Sequence, residues 1–185
     1  RHLCSILLLL LLHSTFLITN SQAQHPKDYF RSPLDIPLFL SGNFGELRTN
    51  HFHAGLDLKT GGVEGKKVYA PADGYVSRIK VAAGGYGNAL YVTHPNGYTT
   101  VYGHLSSYSG LIAAYIKEQQ YKKESFEIEL TPDSNLFKLK KGDIVAYTGN
   151  TGSSGGPHLH FEIRDTKTES TLNPLFFGFD VKDKT

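Results

Sequence analysis

From Ser41 onward, apolar and polar residues alternate in short runs separated by glycine-bearing turns, a pattern that predicts strands rather than helices. Tyr75-Val76-Ser77-Arg78-Ile79-Lys80-Val81 has period two and reads as a half-buried strand. Ala89 to His94 and Tyr98 to His104 read as two further strands, joined through Pro95-Asn96-Gly97 as a hairpin. Phe126 to Leu130, Ile144 to Thr148 and His158 to Arg164 continue the alternation, the last two fed by Lys140-Lys141-Gly142-Asp143 and by the loop Gly149 to Gly156. Gly61-Gly62, Pro71 to Gly74 and Gly84-Gly85 with Gly87 mark more turns. One stretch has helical spacing: Leu111, Ile112, Tyr115 and Ile116 share a face after Ser109, a suitable N-cap. The expected class is mainly β, an antiparallel domain with one short inserted helix, over residues 41–178.

Outside that domain the pattern changes. Pro26, Pro33 and Pro37 break any regular element, so residues 24–40 read as an extended lead-in across the surface. Before them, Arg1 and His2 precede an apolar stretch, Ile6 to Leu12, continued by Phe16-Leu17-Ile18 and by the small residues of Ser21-Gln22-Ala23. His13, Ser14 and Thr15 interrupt the stretch, which is short for a span of about 20 residues. Residues 1–23 therefore read as a signal peptide cleaved after Ala23, with no integral membrane span left and the work done in the periplasm, cell envelope or outside the cell. Asn173 to Gly178 reads as a core closing, and residues 179–185 as the start of a truncated continuation. The chain has no methionine, so its 185 residues read as a piece of a longer reading frame.

Composition narrows the function. A formal net charge of +2 with no basic run gives no nucleic-acid footprint. The one cysteine, Cys4, lies upstream of the apolar stretch, so disulfide frameworks and paired-cysteine metal sites are excluded. Nine histidines remain to carry chemistry. In His53-Ala54-Gly55-Leu56-Asp57, strand alternation would turn residues 53, 55 and 57 to one face, the glycine leaving room for an ion; alone, this is more often a surface histidine beside an unrelated aspartate. In His158-Leu159-His160 both imidazoles share a face, which is uncommon for packing because each buried ring nitrogen needs a partner. His104 ends the hairpin strand. Two histidines and an aspartate could hold one zinc ion with a fourth position open, the catalytic arrangement.

In this order, His53–Asp57, Tyr102-Gly103-His104-Leu105 and Gly149-Asn150-Thr151-Gly152 followed by Gly156-Pro157-His158-Leu159-His160-Phe161-Glu162 resemble the lysostaphin-type (LytM-like) zinc endopeptidases, peptidoglycan hydrolases. Val68 to Gly74 is also similar to that family's core hairpin. The resemblance spans roughly residues 43–174. It implies antiparallel sheets forming a groove, one zinc ion held by His53, Asp57 and His160, and peptidoglycan stem or cross-link peptides as partners. His104 and His158 are then free for chemistry, His158, next along the face from His160, as general base and His104 as donor to the oxyanion, roles the sequence leaves interchangeable. Tyr86, Asn88 and Tyr102 become groove-wall candidates, and Glu162 a residue that orients an imidazole. His51 shares the odd-numbered face and reads as a rim residue or a substitute ligand. Residues 109–138 exceed the family's usual link and read equally as a lid or groove wall, or as a passive insertion.

Three rivals are weaker. Gly152-Ser153-Ser154-Gly155-Gly156 fits the nucleophile pattern of serine hydrolases, which needs a following helix, whereas Pro157 and an alternating strand follow. Ala70 to Val76 resembles a lipoyl or biotinyl carrier turn without the required lysine at its tip. A non-catalytic cell-wall binding or amidase-activating module on the same fold would be expected to lack some of the ligands.

Overall fold

A computed structural model describes residues 25–182. The expected leader, Cys4 included, lies outside the described residues. The described chain forms β1 (Leu40–Gly42), β2 (Leu56–Lys59), β3 (Lys67–Tyr69), β4 (Gly74–Val81), β5 (Ala89–Thr93), β6 (Tyr98–Gly103), β7 (Ser107–Tyr108), α1 (Gly110–Lys123), β8 (Ile128–Leu130), β9 (Lys138–Leu139), β10 (Ile144–Tyr147), β11 (His158–Asp165), β12 (Thr171–Leu172) and a 3-10 turn at Pro174–Phe177. A nine-stranded sheet runs in the order β1-β2-β11-β6-β5-β4-β8, with β12 beside β11 and β9 beside β4; a second sheet runs β3-β10-β7. All strand pairings are antiparallel, as the hairpin signals predict.

Strand alternation sorts the two faces of the large sheet. Leu56 and Leu58 of β2, Leu159, Phe161 and Ile163 of β11, and Leu90 and Val92 of β5 enter one core together with Val68, Val145 and Ala146 of the small sheet. The intervening positions, Asp57 and Lys59 on β2 and His158, His160, Glu162 and Arg164 on β11, share the opposite face. Antiparallel register sets them side by side: His160 pairs with Asp57 on one flank and Gly103 on the other, and His158 pairs with Lys59. The central strands thus carry the chemistry on the reverse side of the hydrophobic core.

Several local expectations change. The lead-in contributes Phe30, Leu34 and Leu38 to the core, its prolines leaving backbone free to bond elsewhere, as in Arg31 N–H to Pro71 O and Tyr69 N–H to Pro33 O. The helix runs six residues past Lys117 and buries Ile112 and Ile116, while Leu111 faces solvent. Ser109 stands at its N-cap without capping it, because the hydroxyl donates to Ile144 O. The segment after α1 joins the sheet through β8, at the edge away from β2 and β11. None of residues 109–138 lines the cavities around the histidines; through β8 the insertion extends the sheet at its far edge.

Candidate metal centre and groove

The HxxxD segment is only half strand. Asp57 lies on β2, but His53 precedes it, on the stretch that leads in from residue 52. The expected role of Gly55 also changes: a Cβ there would meet Phe161 O at 2.3 Å and Glu162 Cγ at 2.8 Å. Its bare Cα lets the chain pass against β11 and brings His53 over the sheet, rather than making space for an ion.

Three side chains meet there. His53 Nε2 is 3.0 Å from Asp57 Oδ1 and 3.0 Å from His160 Nδ1, and His160 Nδ1 is 3.0 Å from Asp57 Oδ1. All three residues are buried, His53 by 95% and His160 by 97% of its surface, as their 5% and 3% exposures show. The far ring nitrogens settle the tautomers. His53 Nδ1 donates to Asn43 O at 2.7 Å, because a carbonyl can only accept, and His160 Nε2 donates to Glu162 Oε1 at 2.8 Å. In the neutral rings, two imidazole lone pairs and a carboxylate oxygen therefore face one another at 3.0 Å. Only a shared proton or a cation relieves that arrangement. A tetrahedral ion with ligands at ~2.0–2.1 Å separates them by about 3.3 Å, so the set fits zinc after a small outward shift.

Electrostatics keep the carboxylates charged. Burial works against ionisation of Asp57, yet hydrogen bonds with His158, His160 and His53 hold its carboxyl well below the usual range. Glu162 is fully buried, and burial again opposes its charge; His160 and Arg164 outweigh it and keep the carboxyl low. Arg164 Nε donates to Glu162 Oε2 at 2.6 Å, and the Tyr86 hydroxyl donates to Oε1. Burial and Glu162 push the Tyr86 phenol upward, so it remains a donor. The Tyr86 ring stacks on His160 at 5.0 Å between centroids. Glu162 thus fixes the His160 ring through Nε2, and Tyr86 lines the cavity.

Tyr102 and Asn88 do not reach the groove. Tyr102 is fully buried on the core face, its hydroxyl paired with Thr100 Oγ1 at 2.9 Å and its ring against Phe161. Its face of β6 packs on the core, opposite Phe161 of β11. Asn88 instead ties a loop: its Nδ2 donates to Leu105 O at 3.0 Å and its N–H to Thr151 Oγ1 at 3.0 Å.

That loop holds His104. Its backbone lies in the left-handed region at φ 59°, uncommon for a residue with a Cβ. The N–H donates to Tyr86 O at 2.8 Å and Nδ1 donates to Thr151 O at 2.8 Å. Burial drives its pKa down to about 4, so the ring is neutral at neutral pH with a lone pair on Nε2. His158 lies 4.7 Å from His104 between ring centroids, with Nδ1 2.8 Å from Gly156 O and Nε2 3.4 Å from Asp57 Oδ1. Burial opposes its charge, but Asp57 raises it overall. Ser154 Oγ is 3.2 Å from His158 Nδ1, on the side away from Nε2, so no histidine there is free to activate it as a nucleophile. His51 is exposed, with Nδ1 2.6 Å from Asn50 Oδ1, and sits on the rim.

Arg48 is the residue that sequence reasoning missed. Its Nη2 donates to Asp57 Oδ2 at 2.9 Å and pairs with Glu46 Oε2 at 2.8 Å. The Asp57 carboxylate is therefore held by Arg48 through one oxygen, with the other turned to the two imidazoles. Gly42, opposite Asp57 on β1, makes this possible: a Cβ there would lie 2.4 Å from both Arg48 Nη2 and Asp57 Oδ2. Gly42→Ala is expected to weaken zinc affinity about 10–100-fold, measured by chelator competition, with folding judged unchanged by far-ultraviolet circular dichroism. Unaltered affinity would show that the Arg48 contact does not matter.

Two connected depressions flank the centre. One, of about 330 Å³, is lined by Arg48 to His51, Gly85, Tyr86, Ser153 to Gly155 and the histidines. The other, of about 570 Å³, continues past Asp57 and His158 to Lys59, Gly61-Gly62 and Gly156-Pro157.

A family model described as peptidase family M23 matches residues 51–123 and 136–174. The DD-carboxypeptidase/endopeptidase Mpg of Neisseria meningitidis serogroup B is 33% identical over 118 residues, 64% of this chain and 21% of that protein. The murein hydrolase activator NlpD of Escherichia coli is 31% identical over 121 residues, 65% of this chain and 24% of that protein. The chain thus spans about a fifth to a quarter of the length of these relatives. A crystal structure of a zinc-containing peptidase from Vibrio cholerae superposes with a TM-score of 0.57 at 25% identity, over 83% of this chain and 40% of that one.

Proposed function

The chain belongs to peptidase family M23, and from that premise we propose that it is an exported zinc metalloendopeptidase that hydrolyses peptide bonds in peptidoglycan stem or cross-link peptides. The observation that carries the reading is the buried meeting of His53 Nε2, His160 Nδ1 and Asp57 Oδ1, each turned inward by a partner on its far side. Two histidines outside that set stand beside it with their Nδ1 atoms already engaged, which is more than a passive metal site needs.

A zinc ion bound there would polarise the scissile carbonyl and lower the pKa of water toward 7. His158 Nε2 takes the proton from the attacking water, since its Nδ1–H is committed to Gly156 O and its environment keeps it the more basic of the two rings. As the water oxygen bonds to the carbonyl carbon and the C–N bond breaks, the same Nε2 returns the proton to the departing amine. His104, neutral and with Nδ1–H on Thr151 O, offers only an acceptor at Nε2. In this reading it orients the attacking water instead of donating to the oxyanion, the role expected from the sequence. Export is supported by the leader-like residues 1–23; among the described residues no helix is long and apolar enough to cross a membrane.

The likeness to NlpD favours a second reading, a module that activates other murein hydrolases without cutting. Purified protein incubated with sacculi separates them. Soluble fragments with new amino termini are expected with zinc, none after chelation, and recovery on adding zinc back. No release under either condition would leave the activator reading.

A further inference from the structure

We infer that Lys59, together with Arg48, forms a carboxylate-binding subsite at one end of the groove, so that the preferred peptide carries a free carboxylate close to the bond that is cut. The inference rests on the peptidase reading above and names a substrate class for it. Its basis is the strand register. Lys59 follows Asp57 by two positions on β2, so both share the site face, and Lys59 is the direct cross-strand neighbour of His158. Two residues of strand place it about 7 Å beyond Asp57, roughly the reach of two residues of an extended substrate.

The depression at that end contains two cations, Arg48 and Lys59, and one acid, Asp57, which Arg48 pairs through Oδ2 while its Oδ1 belongs to the metal-ligand set. Lys59 is exposed and has no ion-pair or side-chain hydrogen-bond partner among the described residues. Arg48 Nη2 already serves Asp57 and Glu46, so Lys59 is the cation left open to a ligand. Gly61-Gly62 and Gly155-Gly156 line the same depression and put no side chain in the way. The opposite end shares Arg48 but has no lysine, its other walls being Thr49, Asn50, Tyr86, Ser153 and Ser154. A groove with an added lysine at one end discriminates by charge along the peptide. An ammonium on a flexible stem suits a carboxylate whose position is not rigidly fixed.

The test uses two pairs of synthetic peptides, each pair differing only in a free carboxylate or a carboxamide, placed on one or the other side of the scissile bond. With the zinc-loaded protein, one pair is expected to show about tenfold higher kcat/KM for the carboxylate form, mainly through KM and shrinking with added salt. Lys59→Gln should bring that ratio near one and Lys59→Glu should invert it, with zinc content unchanged. A ratio near one for both pairs, or a preference that survives Lys59→Glu, overturns the inference while leaving the peptidase reading intact. If no peptide is cut, the peptidase reading fails, and fluorescence anisotropy with the same peptides still decides: carboxylate-selective binding lost in Lys59→Glu supports the subsite, and equal binding overturns it.

Discussion

His53→Ala is expected to lose stoichiometric zinc and, with it, more than about 10³-fold of hydrolytic rate, while His51→Ala keeps both. The two histidines are two residues apart, and the difference between them is environmental. His53 is buried with Nδ1 on Asn43 O and Nε2 aimed at Asp57 and His160; His51 is exposed and pairs with its neighbour Asn50. Metal analysis after dialysis reads the first effect directly. Thermal unfolding gives a second readout. Zinc at 1,000 times its dissociation constant stabilises the native state by about 4 kcal/mol, so the melting temperature of the parent should rise with zinc and that of His53→Ala should not. The metal-free variant should melt no lower than the metal-free parent by more than a modest margin, because the substitution also removes one of three acceptors crowded at 3.0 Å. A His51→Ala protein without zinc, beside a zinc-replete His53→Ala protein, would reverse the assignment.

Replacing His104 or His158 by alanine is expected to lower kcat by about 10²–10⁴-fold with zinc retained. Their shapes against pH should differ. His158 carries the proton-accepting Nε2, so the acid limb of the kcat/KM profile should follow it and change form in His158→Ala. His104 is already neutral above its value of about 4, so His104→Ala should lower the plateau without moving the limb between pH 5 and 8. If the limb vanishes in His104→Ala and persists in His158→Ala, the two exchange roles. Loss of zinc from either variant would make them ligands rather than participants in proton transfer.

Most of the strands could be read from residue order because alternation is local. A strand such as His158 to Arg164 shows its two faces in four or five residues, whereas in Tyr75 to Val81 a bulge between Val76 and Arg78 breaks the alternation; the hairpin turn at Pro95-Asn96-Gly97 fixes its own partner strands. The same alternation assigned Leu159 to the core and both flanking histidines to the other side. Where a residue's fate depended on what lay across from it, local pattern failed. Tyr102 was expected on the groove wall and is core, since its face of β6 meets Phe161. Leu111 has helical spacing with Ile112 and Ile116 yet stays in solvent, because α1 packs along a narrower stripe than the spacing allows.

The sequence by itself therefore determined the class of elements, the two faces of strands such as β11, and which residue types were available to bind a metal and move a proton. Only the tertiary structure decided how they act. The pairing of β2 with β11 sets Asp57 beside His160 across a separation of 103 residues, and a Cβ missing at Gly42 admits Arg48 to the far carboxylate oxygen. Carbonyls at Asn43 and Thr151 and the carboxylate of Glu162 choose which ring nitrogen of each histidine is left with a lone pair. Such choices depend on distances of a few ångströms between segments remote in the chain, and hydrogen-bond direction and desolvation, unlike hydrophobic periodicity, have no signature in the order of neighbouring residues.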